Sequence, residues 1–406
     1  MAVLILALLL RAGFGIYRMN TAPDPMSLEF DDERQYWAMA HAFRAGEGLQ
    51  DELGFLATRM PLYPAALSLL VELPSGVIVA RVLHWVLGAT AAALTASLAN
   101  ALLGRRVGVA AGLVVAFDPF LVFFSSLLLT ETAFILVLVG LMWTLWPLHD
   151  PRRDAIPRWL LAGLLASFAV YVRESSLGLV VVLLCFVVLC RRLDLRAVLG
   201  AACACALVLA TLFPWAARNK QILGESCWLT TRAGISLYDG VGPQATGASD
   251  LGNVKQMPAV VGLSEAEWNR FFLTEAVEAI RTDPLRILRL AGIKVARMWN
   301  PVPNAQDYKS PLVRVVAGAW SVSLYLLSAT GAIILCSSPP RGNRKLALFL
   351  LIPAVYLTAL HSLFVGSVRY RLGAVPMLAV LAGLALVYLV DYSRARVAEG
   401  ACDVGD

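Results

Sequence analysis

Residues 30–36 read Phe30-Asp31-Asp32-Glu33-Arg34-Gln35-Tyr36. Three adjacent carboxylates stand here between an apolar run ending near Tyr17 and a chain that is mostly further apolar runs. Neighbouring carboxylates repel one another, so each needs water, a cation or a cationic substrate. The first turn of a helix relieves part of that repulsion, because its unpaired N–H groups and positive dipole end face the acids. Two readings follow: an acidic first turn that caps an interfacial helix, or a set of carboxylates presented to a substrate. Downstream, Tyr36, Trp37, Ala40 and Phe43 recur at helical spacing, with Arg34, His41 and Arg44 among them as polar positions. That pattern is an amphipathic helix lying at a membrane surface, ended by Gly46 and Gly48.

Working outward, the chain is 59% hydrophobic and only 15% charged, where a soluble domain carries about 25% charged residues. The chain is therefore an all-α polytopic membrane protein. Its net charge of +6 is carried mostly by arginines set between apolar runs, which fits topology and anionic lipid heads rather than nucleic acid. Cys185, Cys190, Cys203 and Cys205 lie inside apolar runs and Cys227 stands alone, so no disulfide framework is expected. His41, His84, His149 and His361 show no metal-ligand spacing. No phosphate loop, dinucleotide turn or zinc-protease motif is present.

After the first run, to about Tyr17, further apolar runs cover 77–103, 107–123, 126–147, 158–173, 175–190, 196–216, 312–336, 345–364 and 373–391. Several approach the roughly 20 residues needed to cross a bilayer, which gives about ten spans. The first run is read as an uncleaved anchor, since no small-residue cleavage site precedes the acidic cluster. Arg11 interrupts it, and needs to snorkel or meet a phosphate. Arg105-Arg106, Arg152-Arg153 with Arg158, Arg191-Arg192 with Arg196, Arg341 with Arg344-Lys345, and Arg394 with Arg396 all fall on one side. The positive-inside rule makes that side, and both termini, cytoplasmic. The opposite side then holds the loop 18–76, Asp118-Pro119, Arg173-Glu174, the segment 217–311 and Arg369-Tyr370-Arg371. The organisation expected is a bundle over 1–216 with a catalytic first loop at 18–76, an extracytoplasmic segment at 217–311, and C-terminal spans with a short cytoplasmic tail over 312–406. Within 217–311, Ser264-Glu265-Ala266-Glu267 opens a helix to about Thr282 and Pro284 starts a second. Arg286, Arg289, Lys294 and Arg297 share a broad face of that second helix, as suits one lying on a bilayer.

Polar residues therefore collect on the outer side. Arg59 and Tyr63 sit at a proline bend, Arg81 and His84 lie one helical turn apart, Glu131 opens a span, and Arg369 and Arg371 flank Tyr370. One chemistry uses such a set. A lipid-linked phosphate leaving group needs arginines, an acceptor needs a carboxylate base, and a lipid donor enters sideways from the bilayer. The alternative is a transporter or flippase of a lipid-linked or anionic substrate. Transporters, however, place charges near mid-span, often within inverted repeats, and no repeat is visible here.

Asp32-Glu33 followed by Tyr36, Ala40 and Gly46 resembles the first-loop motif of the polyprenyl-phosphate-sugar-dependent glycosyltransferases of the GT-C fold. That broad family includes the protein O-mannosyltransferases (glycosyltransferase family 39) and the lipid A aminoarabinose transferase. Arg59-Met60-Pro61-Leu62-Tyr63-Pro64, Leu128-Leu129-Thr130-Glu131, Pro214-Trp215-Ala216-Ala217-Arg218-Asn219 with Gly224, and Arg369-Tyr370-Arg371 with Pro376 resemble its bacterial branch. The resemblance implies a GT-C bundle with interfacial helices in the first extracytoplasmic loop, in the inner (plasma) membrane. It implies a hexosyl- or pentosyltransferase taking a polyprenyl-phosphate sugar to a lipid, glycan or protein acceptor. Asp32, or Asp31 beside it, would be the catalytic carboxylate and base of an inverting transfer, and Glu131 a second acidic position. Arg59 would bind the donor phosphate, helped by Arg369 or Arg371. Tyr36, Tyr63 and Tyr370 would hydrogen-bond sugar or phosphate, with Glu33, Arg81 and His84 as further substrate contacts. Asp31, Asp32 and Glu131 could also share a divalent cation, although no spacing requires one.

Overall fold

The computed structural model describes residues 1–255, 257–305, 308, 310–337 and 343–402; Arg341, grouped above with Arg344 and Lys345, lies outside the described residues. Among these the regular structure is helical throughout. The first helix, α1 (Ala2–Thr21), leads to the loop helices α2 (Asp31–Arg44) and α3 (Leu62–Leu67). Next come α4 (Gly76–Leu103), α5 (Arg105–Phe117), α6 (Pro119–Phe124), α7 (Glu131–Leu145), α8 (Ile156–Val172), α9 (Ser176–Cys190) and α10 (Leu195–Leu223). Four further helices follow, α11 (Ala233–Val241), α12 (Leu251–Lys255), α13 (Glu265–Thr282) and α14 (Pro284–Met298). The chain then returns through α15 (Pro311–Ser337), α16 (Arg344–Leu363) and α17 (Val375–Cys402).

Among the described residues, 7 helices are long and apolar enough to cross a membrane, and α8 and α9 are shorter apolar helices. The run 107–123 is broken: Asp118 ends α5 and caps α6 by accepting from the Leu121 N–H (2.9 Å), with Pro119 at the first helical position. That break explains Arg11. The end of α5 leaves carbonyls without partners, and the buried Arg11 guanidinium donates to Val115 O (3.2 Å) and Ala116 O (3.4 Å), as well as to Ala7 O (3.2 Å).

The central element is α17, packed on α5 and α15 and buried over its first turns from Val375 to Ala382. Small residues permit this. A Cβ added at Gly331 on α15 would lie 2.0 Å from Leu381 O, and one at Gly383 would lie 2.8 Å from Ala111 N on α5. Helices in lipid gain stability from such close backbone approach. Gly331→Ala is therefore expected to push α15 off α17 and cost about 1–3 kcal/mol, read as a lower melting temperature of the detergent-solubilised protein.

The helices sort their termini into two ends. At one end Arg106 pairs with Asp391 (2.8 Å), Arg191 pairs with Asp154 (2.6 Å), and Lys345 donates to Cys190 O (3.2 Å). These are the Arg- and Lys-bearing turns grouped above. At the other end the first loop, the α6–α7 corner and the turn before α17 meet the segment that holds α11–α14.

In that segment Ser264 and Glu267 form the expected capping box, with Ser264 N–H donating to Glu267 Oε2 (2.9 Å). Of the basic face of α14, Arg289 is exposed as expected, whereas the other three cations turn to backbone carbonyls. Lys294 is fully buried and donates to Leu363 O (2.6 Å) and Ser362 O (3.2 Å), while Arg286 donates to Gly242 O (2.6 Å) and Val241 O (3.0 Å). Arg297 reaches Gly366 O (3.3 Å). These carbonyls terminate α11 and α16 or lie just beyond them, where intrahelical partners run out. Arg286, Lys294 and Arg297 cap helices, and Leu285 and Leu288 are left outward.

Candidate active site

The register of α2 separates the three acids, because successive helical positions point about 100° apart. Asp31 faces out, its side chain 96% exposed and paired with Arg34. Glu33 is buried and closes the loop, accepting from Leu128 N–H (2.8 Å) and from the Glu29 and Phe30 N–H groups (both 3.1 Å). Asp32 alone faces the centre, its side chain 24% exposed. Asp31, Asp32 and Glu131 are thus not arranged around one cation. Among the described residues no group of three or more His, Cys, Asp or Glu converges to hold a metal.

Both Asp32 oxygens are held by arginine. Arg59 Nη2 donates to Oδ1 and Arg369 Nη1 to Oδ2, each at 2.5 Å. Arg369 Nε also donates to Glu131 Oε1, which Arg173 Nη1 approaches at 3.2 Å. Arg369 therefore bridges a first-loop carboxylate and the fully buried carboxylate that opens α7. Arg59 is fixed by Gln35 Oε1 (2.6 Å to Nη2, 3.1 Å to Nε) and by the Tyr36 ring, 4.9 Å from its guanidinium carbon. Burial alone would raise the Asp32 carboxyl, but Arg59, Arg369 and Arg232 hold it well below the usual carboxylate range. Burial raises the Tyr36 phenol above its ordinary value, so it remains a neutral hydrogen-bonding group.

Tyr63 packs edge-on to Tyr36 (centroids 4.9 Å apart), and its hydroxyl lies 3.0 Å from His84 Nε2. Tyr370 stacks on His361 at 3.8 Å with 10° between ring planes, and Arg173 lies over its ring. Buried atoms here that lack hydrogen-bond partners include Glu131 Oε2, His84 Nδ1 and His361 Nδ1. Two other expected contacts are held by backbone carbonyls, and the first of them turns away from the cluster. Arg371 donates to Asn300 O and to Ser321 Oγ (3.2 Å), beneath Phe120. Arg81 donates to Ser27 O (2.6 Å) and Pro25 O, fastening the first loop, and still lines a cavity beside the cluster.

A cavity of about 940 Å³ adjoins this cluster. Phe14, Phe30, Phe120, Phe123 and Val316 line it between α1, α6 and α15, with Tyr17 and Leu312 exposed at its rim. Arg18, Arg81 and Arg369 supply its positive charge. Arg369 thus belongs to both the apolar cavity and the Asp32 cluster.

Several residues of the cluster were not singled out from sequence: Gln35, Arg173, Glu174, Arg232 and His361. The charged pair Arg173-Glu174, set between two apolar runs with almost no loop, was an available signal. Arg232 carried none, and its charge bears on Asp32 and Arg59 only through the fold.

Comparison with known proteins bears on the fold. Residues 58–217 match the family model for dolichyl-phosphate-mannose-protein mannosyltransferase. That stretch holds Arg59, Tyr63, Arg81, His84, Glu131 and Arg173, whereas Asp32 and Arg369 lie outside it. No curated protein matches the chain. The oligosaccharyltransferase AglB from Archaeoglobus fulgidus, in complex with an inhibitory peptide and a dolichol-phosphate, is similar at 15% identity and TM-score 0.59, over 98% of this chain and 51% of that one. Its apo form gives 14% identity and TM-score 0.60, over 99% and 52%. ArnT from Cupriavidus metallidurans, bound to undecaprenyl phosphate, gives 16% identity and TM-score 0.54, over 98% and 63%. The chain spans about half the length of the AglB structures and under two thirds of ArnT. The fold is that of the GT-C glycosyltransferases.

Proposed function

We propose that this chain is a membrane glycosyltransferase that moves a sugar from a polyprenyl-phosphate donor to an extracytoplasmic acceptor. The observation that carries this reading is Arg369, which joins an apolar cavity open at the side of the bundle to the Asp32 carboxylate. A polyprenyl chain fits the cavity, its phosphate meets Arg369 and Arg59, and the anomeric carbon comes beside Asp32. The acceptor hydroxyl or amine attacks that carbon from the face opposite the phosphate. The C–O bond to phosphate breaks with its electron pair on the phosphate, and the acceptor proton passes to Asp32. A single displacement of this kind inverts the anomeric centre.

Asp32 held by two guanidiniums is a weak proton acceptor. A phosphate competes for the same guanidiniums, since arginine binds phosphate and carboxylate through the same fork. Donor binding therefore loosens the clamp and raises the basicity of Asp32 when the acceptor arrives. Leaving-group charge settles on Arg59 and Arg369, the positive clamp this chemistry requires. Glu131 Oε2 remains as a buried acceptor for a sugar hydroxyl. The basic turns at the far end support a reading, by the positive-inside rule, in which the site faces the extracytoplasmic side and both termini are cytoplasmic.

The test is transfer by purified protein from a panel of radiolabelled polyprenyl-phosphate sugars to a membrane extract. A labelled product is expected from the wild type. In the same assay Arg59→Ala is expected to raise the donor KM about tenfold or more, the loss of a charge-assisted phosphate contact. Flux across sealed liposomes without covalent product would favour the transporter reading, and failure to bind polyprenyl phosphate would overturn the proposal.

A further inference from the structure

The stretch just before Arg59 is fixed from outside the first loop. Glu265, the first residue of α13 and 8% exposed, accepts from Leu56 N–H through Oε2 (2.7 Å) and from Ala57 N–H through Oε1 (2.9 Å). The same Oε1 accepts from the Thr231 hydroxyl (2.6 Å). The carbonyls of these two residues are engaged as well. Leu56 O accepts from Arg218 Nη1 (2.7 Å), and Ala57 O accepts from Thr231 N–H (3.0 Å). Every backbone polar atom of Leu56 and Ala57 is thus bound by residues of α10, the loop after it, or α13.

Two arginines of the site follow these anchors in sequence. Arg59 stands two residues beyond Ala57, and Arg232 stands next to Thr231. A carboxylate accepting three hydrogen bonds, two of them from backbone N–H groups, is a stiff joint because each bond is charge-assisted. An error of about 1 Å in a positioned group is enough to cost about a hundredfold in rate.

We infer that Glu265 is a positioning residue that sets Arg59 and Arg232 together for the donor phosphate; this rests on the glycosyltransferase reading above. One carboxylate of the segment 217–311 aligns cations from two other parts of the chain. The segment would thereby help build the donor half of the site. Nothing in this role brings Glu265 itself to substrate.

The test compares Glu265→Ala and Glu265→Gln with wild type in the full-length, detergent-purified protein. Glu265→Ala is expected to raise the donor KM about tenfold and to lower kcat as well, since Arg59 also takes up leaving-group charge. Glu265→Gln, which still accepts from Ala57 and Thr231 but presents N–H to Leu56 N–H, is expected to fall between. In the double variant with Arg59→Ala the two KM effects should be far from additive, because Glu265 acts through Arg59. Additive effects, or a kcat loss with KM unchanged, would overturn the inference. Amide hydrogen exchange gives a readout independent of transfer: Leu56 and Ala57 should exchange faster in Glu265→Ala while α4 and α17 stay protected. Unchanged exchange there would also overturn it. If wild type neither transfers nor binds polyprenyl phosphate, the functional reading falls and exchange still decides whether Glu265 sets the loop.

Discussion

Asp32→Asn is expected to lower transfer by about 10²–10⁴-fold, the range that a positioned base contributes. The protein should remain folded and able to bind polyprenyl phosphate. The substitution preserves shape and keeps one oxygen to accept from Arg59 or Arg369. It removes the negative charge and places an amide NH₂ against a guanidinium. The donor therefore still meets Arg59 and Arg369, but the acceptor finds no carboxylate to take its proton. The measurement is kcat at saturating donor, with polyprenyl-phosphate binding and the melting temperature as controls. An active Asp32→Asn protein would move the base to Glu131. It would not restore Asp31 as a candidate, because Asp31 points outward on α2 with its side chain 96% exposed. Asp31→Asn is accordingly a matched control that leaves transfer near wild type.

That contrast marks where sequence reasoning ends. Hydrophobic runs and arginine-bearing turns suffice for a helical bundle with its polar residues at one end, because period, length and flanking charge are local properties. Adjacent acids are different: only the helix register decides that Asp32 turns inward, Glu33 closes the loop and Asp31 faces water. Arg369 and Arg371 pose the same problem. They flank one tyrosine, yet a 3-10 turn over Val368–Ala374 sends the first to Asp32 and the second to the Asn300 carbonyl. The amphipathic pattern of α14 names two faces without saying which is inside, and unpaired carbonyls ending α11 and α16 drew three of the cations in. Gln35 lies within the acidic stretch 30–36, and its role is set only by Arg59 folding against it. Arg173 and Arg232 reach the cluster from distant parts of the chain, through packing that no local spacing records.

Arg369→Ala is expected to damage both stability and transfer, and the two losses can be separated. The Glu131 side chain is 1% exposed and has Arg369 and Arg173 as its ionic partners. Removing one partner of a buried ion pair costs about 3–5 kcal/mol, because the remaining charge stays desolvated. Arg173, at 3.2 Å from Glu131 Oε1, offsets part of this. The melting temperature should therefore fall clearly, and transfer should fall further, since the leaving phosphate and Asp32 both lose their common cation. Arg369→Lys keeps the charge but lacks the planar fork that reaches Asp32 and Glu131 at once. It should recover stability partly and transfer poorly. The deciding variant is Glu131→Gln in the Arg369→Ala background. If the stability loss comes from an orphaned carboxylate, neutralising Glu131 should raise the melting temperature again, while transfer stays low because nothing has replaced the cation at the phosphate. Recovery of both would reduce Arg369 to a structural partner of Glu131 and leave the donor phosphate to Arg59 and Arg232. Recovery of neither would mean that the turn before α17 depends on Arg369 for its conformation, and that the link between cavity and carboxylate is architectural rather than chemical.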